Sequence, residues 1–276
     1  MKIFRKASEL EPNLVSIKDK GQSIGLVLTM GNLHDGHLSL IREAQLHNEF
    51  VICSIFINPT QFNNENDFNS YPKTIDEDIS KLENIGCNLL FLPNVQEIYP
   101  KGLAKKKIVN NFRNILCDKF RPGHFDGVTT VVDLFFNMIK PTNSYFGEKD
   151  FQQVKIIQDL VKINHHNIKI IQCPSVRDKM GMSLSSRNSK FSNDQLKIFN
   201  VLGNKIKEHI NLLTQNEINN LDQLKIELLQ NNINKIDYLE IRNENNLEIT
   251  KNYSEARLFI ALYIGDIRII DNFKLY

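Results

Sequence analysis

Short apolar segments alternate with amphipathic segments between residues 24 and about 172, and this alternation constrains the fold most. Ile24–Thr29 and Phe50–Ile57 are nearly uninterrupted apolar runs, as expected for strands of a parallel sheet that is buried on both faces. Asn88–Leu92 and Ile168–Gln172 are further strand candidates. The intervening segments carry apolar residues at helical spacing. This alternation predicts a doubly wound, Rossmann-like α/β sheet, in which ligands bind beyond the carboxyl ends of the strands.

The pattern changes after Cys173-Pro174. Residues 177–190 are rich in Ser, Arg, Lys and Gly without hydrophobic periodicity, which is typical of a loop or linker. We predict a Rossmann-like domain over residues 1–176 and a smaller C-terminal α+β domain over residues 177–276. The predicted elements of the smaller domain are helices at about 192–213 and 220–231 and strands at 236–241, 257–264 and 267–271.

Charge and hydropathy exclude several classes of partner. The chain has 34 Lys and Arg against 32 Asp and Glu, a formal net charge of +2, so no electrostatic argument favours nucleic acid. The longest apolar runs, Val51–Ile57 and Leu258–Ile264, are far shorter than the ~20 residues that span a bilayer. The N-terminus becomes polar before a signal-peptide core could form. We therefore expect a cytoplasmic protein that does not bind membranes.

The four cysteines (Cys53, Cys87, Cys117 and Cys173) are widely separated. The sequence contains no Cys-x-x-Cys pair, which argues against zinc fingers and redox dithiols. We expect reduced thiols in the core.

A His-Asp-Gly-His segment, His34–His37, stands where the first predicted strand meets the following helix. Neither G-x-x-x-x-G-K-S/T nor G-x-G-x-x-G occurs at this junction. Gly36 permits close approach of the backbone, and a helix N-terminus offers N–H groups to an anion. Two imidazoles at this spacing can donate to one phosphate, so we predict a nucleotide site. Surface or capping histidines and a zinc site are the alternatives.

Two further polar segments have simpler explanations. Asn58 and Gln61 follow the second predicted strand and offer neutral amides to the same crevice, although Asn-Pro is also a common turn opener. The acidic run Asp76–Asp78 lies in the first turn of a predicted helix, where negative charge complements the helix dipole. Magnesium binding is the alternative for this run.

Lys149 occupies an unusual place for a cation. Asp150 is a predicted cap of the following helix, and Gln153 is its predicted capping-box partner. A cation beside a helix N-terminus is locally unfavourable, and a bound anion reverses that effect. The segment therefore predicts a phosphate held between Lys149 and the helix N–H groups.

The loop at the predicted domain junction, Val176–Asn188, contains three serines together with Arg177 and Arg187. These hydroxyl and guanidinium donors suit a loop that closes over a polyphosphate. A plain serine-rich linker is the alternative.

Taken together, these segments resemble the pantothenate synthetase (pantoate–β-alanine ligase) family, within the nucleotidyltransferases that carry a His-x-Gly-His motif. The match covers most of residues 26–188 and is looser in the C-terminal region. The matching segments are Thr29–Leu40, Ser54–Phe62, Asp67-Phe68, Tyr71–Thr74, Arg121–Val128, Phe146–Gln153, Leu184–Asn188, Gly265–Arg268 and Ile270–Asn272.

The resemblance implies a reaction between (R)-pantoate, β-alanine and ATP that gives pantothenate, AMP and pyrophosphate through pantoyl adenylate. It also implies Mg²⁺ as a companion of ATP, without assigned ligands, and a homodimer. His37, His34 and Lys149 would be the catalytic residues, and Gln61 and Gln153, with Asn58, would bind pantoate. The implied ATP-binding residues are Met30, Gly31, Asn32, Leu33, His34, Asp35, Gly36, His37, Gly147, Glu148, Lys149, Asp150, Val176, Leu184, Ser185, Ser186 and Arg187.

The sequence departs from the family pattern at two loop positions. The family usually has an acidic residue at 180 and Ala at 183, where this chain has Met180 and Ser183. Two alternative functions follow from the residues. One is a nucleotidyltransferase for a phosphorylated acceptor, which should carry basic residues in place of Gln61 and Gln153. The other is a non-catalytic nucleotide-binding protein whose loop has lost its function. The reason to consider it is Met180, which stands where the family usually has an acidic residue.

Overall fold

The computed structural model describes residues 1–102, 105–165, 167–214 and 221–276. Short 3-10 helices lie at Pro59–Gln61, Glu148–Asp150, Asn188–Lys190 and Tyr253–Glu255. The strands are β1 (Lys2–Phe4), β2 (Ile24–Thr29), β3 (Phe50–Ile55), β4 (Leu89–Phe91), β5 (Asn143–Gly147), β6 (Lys169–Cys173), β7 (Lys235–Asn243), β8 (Ala256–Ile264) and β9 (Ile267–Lys274). The α-helices are α1 (Ala7–Asp19), α2 (Asp35–His47), α3 (Glu65–Asn69), α4 (Ile75–Asn84), α5 (Val95–Ile98), α6 (Leu116–Phe120), α7 (His124–Ile139), α8 (Phe151–Asn164), α9 (Asn193–Thr214) and α10 (Asp222–Gln230).

The chain groups by its internal contacts into two compact units. The first contains residues 1–113, 121–148 and 152–174, and the second contains residues 114–120, 149–151 and 175–276. Two short segments, 114–120 and 149–151, thus belong to the second unit although the sequence places them in the first predicted domain. The boundary after residue 176 stays a prediction.

The first unit is built on a six-stranded sheet in the order β1-β4-β3-β2-β5-β6. Every strand pair in it is parallel. The apolar runs of β2 and β3 lie in its interior, where Leu26, Val27 and Ile52 are fully buried. The prediction of a doubly wound parallel sheet is therefore confirmed. β1 and β5 were absent from the predicted strands.

The second unit contains a three-stranded antiparallel sheet, β7-β8-β9. Its central strand β8 is almost entirely buried, and Phe199, Leu202 and Ile206 of α9 belong to the same apolar core. A smaller α+β region is thus confirmed. The second predicted helix begins at residue 220, which lies outside the described residues, and α10 begins at Asp222.

All four cysteines are free and buried, which confirms the prediction of reduced core thiols. Burial raises the pKa of Cys87 from the ordinary 9.0 to about 11. Burial, together with Glu43 and Glu148, raises the pKa of Cys173 to about 12. These thiols are therefore protonated, and poor nucleophiles, at neutral pH.

These raised pKa values predict a loss of stability at alkaline pH. The unfolded thiols ionise near pH 9, whereas the folded ones stay protonated up to pH 11 or 12. Their stabilising contribution is therefore complete below pH 9 and is lost as the pH rises through that window, by at most about 1.4 kcal/mol per pH unit for each thiol. We expect the urea midpoint to fall between about pH 8 and about pH 10.5, and to fall less in Cys87→Ala. A constant midpoint would contradict this prediction.

Candidate active site

The chain reverses its direction of travel across the sheet between β2 and β5, which are neighbours. From β2 the chain continues to β3 on one side, and from β5 it continues to β6 on the other. Ligands of open α/β sheets bind at such a switch point, beyond the carboxyl ends of the strands. Met30–His37 follows the end of β2 and Gly147 ends β5. The fold thus brings Met30–His37 and Gly147 to the same edge of the sheet.

A buried carboxylate holds the loop after β2. Asp78 of α4 is fully buried and accepts hydrogen bonds from the backbone N–H of Asn32 at 2.9 Å and of Leu33 at 2.7 Å. Lys81, one turn later, donates to the carbonyl oxygen of Leu33 at 2.8 Å. Gly31 has φ +83°, and a Cβ there would lie 3.1 Å from Asp78 Oδ2. The loop conformation therefore depends on α4 and on the glycine.

The sequence offered two interpretations of the acidic run on α4, a partner for the helix dipole and a magnesium site. The structure supports the first for two of the three residues and gives the third another role. Asp76 and Glu77 are exposed in the first turn of the helix, where they complement its dipole. Both oxygens of Asp78 accept bonds from the protein, since Thr74 also donates to Oδ2 at 3.2 Å. The sequence did not identify Asp78 and Lys81 as supports of the loop after β2.

His34 and His37 form a reciprocal cap at the start of α2. His34 Nδ1 accepts from the backbone N–H of Gly36 at 3.1 Å, and His37 Nδ1 accepts from the backbone N–H of His34 at 3.4 Å. The two ring centroids are 4.1 Å apart. Because both Nδ1 atoms act as acceptors, a neutral ring at either position carries its proton on Nε2. The capping alternative is therefore realised.

Asn58 and Gln61 are joined in the turn after β3. Asn58 is 1% exposed, and its Oδ1 accepts from Tyr99 at 2.8 Å. Its Nδ2 donates to Gln61 Oε1 at 3.2 Å. Gln61 Nε2 lies 2.9 Å from the sulfur of Met30. Asn58 is thus engaged inside the protein, and it orients the Gln61 amide toward Met30 in the loop after β2.

Helix α7 and the residues before it support the backbone of Gln61. His124 Nδ1 donates to the Gln61 carbonyl oxygen at 2.7 Å, and Arg121 Nη1 donates to His124 Nε2 at 3.1 Å. The roles of the two ring nitrogens follow because guanidinium only donates. A Cβ on Gly127 would lie 2.3 Å from the carbonyl oxygen of Thr60. The segment Arg121–Val128, noted in the sequence only through the resemblance, thus fixes the Gln61 turn.

Gly127→Ala should displace that turn. The added methyl group meets backbone atoms of Thr60 and Gln61 within 2.8 Å, and overpacking of this kind costs about 1–3 kcal/mol. We expect a lower melting temperature. If Gln61 binds pantoate, as the resemblance implies, the KM for pantoate should also rise, since Gln61 moves with the turn. Asn137→Ala, at an exposed position of the same helix, is the control that should leave the KM unchanged. An unaltered pantoate KM in Gly127→Ala would contradict the assigned support.

The segment after β5 carries the predicted lysine. In the first unit, Glu148 Oε1 accepts from Gln172 at 2.8 Å, and Gln153 is half-buried near the start of α8. Lys149 and Asp150 belong to the second unit, and their charged groups lie 3.5 Å apart. Asp150 ends a 3-10 helix that runs directly into α8. The sequence predicted that a bound phosphate compensates the positive charge of Lys149. The Asp150 carboxylate compensates part of that charge within the protein.

The loop after residue 175 is an ordered turn. Asp178 Oδ1 accepts from the backbone N–H groups of Met180 and Met182, each at 2.9 Å. Leu184 N–H donates to the Val176 carbonyl at 3.0 Å, and Arg187 N–H donates to Ser185 Oγ at 3.2 Å. Ser185, Ser186 and Arg187 are half-buried. The side chain of Asp178 therefore organises this loop, and Met180 contributes its backbone N–H to that arrangement.

Asp271 of β9 attaches that loop to the small sheet. Its Oδ2 accepts from Ser183 N–H at 2.7 Å and from Arg177 Nη1 at 3.0 Å. Burial raises the pKa of Asp271, while Arg177 acts in the opposite direction. Ser183 is itself buried, and within the described residues its hydroxyl oxygen has no hydrogen-bond partner, so the turn contains the polar atom at a cost in desolvation.

The structure divides the predicted site residues between the two units. Met30–His37, Asn58, Gln61, Gly147, Glu148 and Gln153 lie in the first, and Lys149, Asp150, Val176 and Leu184–Arg187 lie in the second. Their convergence on one nucleotide stays a prediction. Within the described residues, no group of three or more His, Cys, Asp or Glu could hold a metal ion. No helix in the same part of the chain is long and apolar enough to cross a membrane.

The chain is similar to known proteins along nearly its whole length. A family model for pantoate-beta-alanine ligase matches residues 2–274. Pantothenate synthetase of Thermodesulfovibrio yellowstonii is 41% identical over 262 residues, 93% of this chain and 93% of that protein. The Francisella tularensis subsp. novicida enzyme of the same name is 44% identical over 255 residues, 92% of this chain and 90% of that protein.

Solved structures of similar proteins have the same fold. The crystal structure of pantoate-beta-alanine ligase from Francisella tularensis, complexed with beta-gamma ATP and beta-alanine, has a TM-score of 0.85 at 39% identity and covers 100% of this chain and 98% of that one. Pantothenate synthetase from Thermus thermophilus has a TM-score of 0.87 at 31% identity and covers both chains fully. This chain therefore belongs to the pantoate–β-alanine ligase, or pantothenate synthetase, family.

Proposed function

We propose that this protein joins (R)-pantoate to β-alanine with ATP, giving pantothenate, AMP and pyrophosphate. The pantoate carboxylate attacks the α-phosphorus of ATP, and pyrophosphate leaves. The β-alanine amine then attacks the acyl carbon of pantoyl adenylate, and AMP leaves. The observation that carries the proposal is the pair of capped histidines at the switch point of the sheet, in a chain whose residues 2–274 match the family model.

ATP binding is assigned to four segments. Met30–His37 and Gly147–Asp150 would surround the ribose and the phosphates, Val176 would contact adenine, and Leu184–Arg187 would hold the outer phosphates. The N-terminus of α2 supports this assignment, because its N–H groups and dipole favour a phosphate. The loop bonded to Asp78 supports it as well, since a fixed loop needs little reorganisation when the nucleotide binds.

The catalytic roles follow from charge and proton position. His34 and His37 would donate through Nε2 to phosphate oxygens, which agrees with their Nδ1 atoms accepting backbone bonds. We assign His37 as the proton donor to the leaving pyrophosphate. The Lys149 ammonium would neutralise charge that develops at the α-phosphate.

Pantoate binding is assigned to Gln61 and Gln153. A neutral amide can orient the hydroxyl and carboxylate of pantoate without quenching the nucleophile as a tight arginine clamp would. The contact of Gln61 with Met30 supports this role, because it places the amide beside the ATP loop. Asn58 acts on pantoate through Gln61, whose amide it orients.

Mg²⁺ would accompany the triphosphate. Divalent magnesium is usually held by substrate phosphates, waters and one or two carboxylates rather than by an all-protein cage. The carboxylate of Asp78 is occupied by protein donors, so this buried group does not fit a magnesium ligand. We therefore assign no step to a protein-bound metal ion.

The family membership also motivates a homodimer and a cytoplasmic location as proposals. Light scattering of the purified protein tests the first. A scattering mass of about one chain at micromolar concentration would overturn it.

Product analysis tests the proposed reaction. The purified protein, incubated with ATP, Mg²⁺, (R)-pantoate and β-alanine, should form pantothenate, AMP and pyrophosphate in equal amounts. Formation of ADP and phosphate would contradict the adenylate route. A product formed only with a phosphorylated acceptor would indicate another nucleotidyltransferase, and the absence of any turnover would indicate a non-catalytic nucleotide-binding protein.

A further inference from the structure

A buried amide of the small sheet contacts the backbone of the proposed catalytic lysine. Asn272 lies in β9, is 1% exposed, and is paired with Phe259 of β8 in the sheet register. Its Nδ2 donates to the backbone carbonyl oxygen of Lys149 at 3.1 Å. Both residues belong to the second unit. The contact therefore connects the sheet to the segment that carries the ammonium.

The orientation of the Asn272 amide is fixed by a neighbouring arginine. Arg257 is 2% exposed, and its Nη1 donates to Asn272 Oδ1 at 2.7 Å. Since guanidinium only donates, Oδ1 must face Arg257 and Nδ2 must face Lys149. Arg257 is held in turn by Glu244, whose Oε1 accepts from Nε at 2.5 Å. The donor to Lys149 is therefore preorganised.

The same arginine also holds the other end of the lysine segment. The Arg257 guanidinium lies 4.5 Å from the ring centroid of Phe151, and that ring packs edge-on against Phe259 at 5.7 Å. Lys149 is thus attached through its carbonyl, and Phe151 through its ring. These contacts explain why residues 149–151 group with the second unit rather than with the strand that precedes them.

A lysine needs such an anchor more than a shorter side chain does. Its ammonium stands at the end of a flexible four-carbon stem, so its position depends on where the backbone is held. We infer that Asn272 is a positioning residue that sets the Lys149 ammonium for adenylate formation by fixing the Lys149 backbone. This role rests on the proposed function and assigns to β9 a part in the first chemical step.

Asn272→Asp tests the inference selectively. The carboxylate keeps an acceptor for Arg257 but loses the N–H donor to Lys149. Misplacement of a reacting group by about 1 Å can cost about 10²-fold in rate, so we expect pantoate-dependent pyrophosphate–ATP exchange to fall about ten- to a hundredfold. The KM for pantoate should stay within about twofold, because Asn272 does not contribute to pantoate binding in the ground state. Asn252→Asp, at an exposed turn of the same unit, is the matched control and should exchange as the unmodified protein does.

A double-mutant cycle separates positioning from a general structural effect. If Asn272 acts through Lys149, Asn272→Asp should change the rate by less than about threefold when Lys149 is already Ala. An equal loss in both backgrounds would overturn the inference, and so would full activity of Asn272→Asp. If thermal melting shows that the Asp variant is unfolded, Asn272→Ser serves in the same cycle. An unmodified protein without exchange would overturn the proposed function and this role together, whereas exchange that is insensitive to Asn272 overturns the role alone.

Discussion

Replacing Lys149 by alanine should lower pantoate-dependent pyrophosphate–ATP exchange by about 10²–10³-fold, the usual effect of losing a preorganised group at a developing charge. The alanine variant lacks the cation that we assign to the α-phosphate. Its backbone can still accept from Asn272, so the fold should be retained. The loss should appear mainly in kcat, because the charge that Lys149 stabilises grows in the transition state.

Lys162→Ala is the matched control for that experiment. Lys162 lies in the last turn of α8, its side chain is 74% exposed, and its ammonium pairs with Asp159 at 3.0 Å. The Lys162 ammonium stays in water although Asp159 is only 10% exposed, so the change should leave the fold intact, and we expect normal exchange. Equal activities of the Lys149 and Lys162 variants would remove Lys149 from the proposed chemistry.

His37→Ala should produce a loss of similar size, about 10²–10³-fold in exchange rate. The change removes the Nε2–H donor assigned to the leaving pyrophosphate. It also removes the Nδ1 acceptor that caps the backbone N–H of His34, which should cost about 1 kcal/mol of stability. Activity and melting temperature should therefore be measured on the same samples.

The chain offers a control on the same helix. His47 lies in the last turn of α2, its side chain is 55% exposed, and it pairs with Glu43 at 3.1 Å. His47→Ala should exchange at the normal rate. If His37→Ala kept normal exchange after the cap was lost, the role of His37 would be structural only.

Strands with long apolar runs could be predicted from the sequence. Strands with buried polar residues could not, because their polar groups are satisfied by hydrogen bonds to residues far away in the sequence. β5 begins with Asn143 and Ser144, and hydropathy did not identify it as a strand. In the structure, Ser144 is fully buried and its hydroxyl donates to the Leu26 carbonyl at 3.2 Å. Asn143 donates to Asn48 at 2.8 Å. Such long-range partners make a polar strand tolerable in the core, and a hydropathy pattern does not reveal them.

In the candidate site, too, some residues could be predicted from the sequence and the residues that support them could not. The residue types at the strand ends predicted His34, His37 and Gln61 as ligand-facing groups, because strand ends of one sheet share an edge. The supports of these residues come from distant positions. Asp78 bonds the loop across 45 residues, and His124 holds Gln61 across 63. A carboxylate in the first turn of a helix can complement the helix dipole or anchor a loop. Spacing alone therefore could not identify Asp78 as a loop anchor.

The central claim is that the first half-reaction joins pantoate to the adenylyl group before β-alanine takes part. Exchange of labelled pyrophosphate into ATP tests this claim most directly, with (R)-pantoate and β-alanine added separately. We expect label to enter ATP when pantoate is present and β-alanine is absent, and not when pantoate is omitted. Exchange that proceeds equally without pantoate, or that requires β-alanine, would contradict the claim.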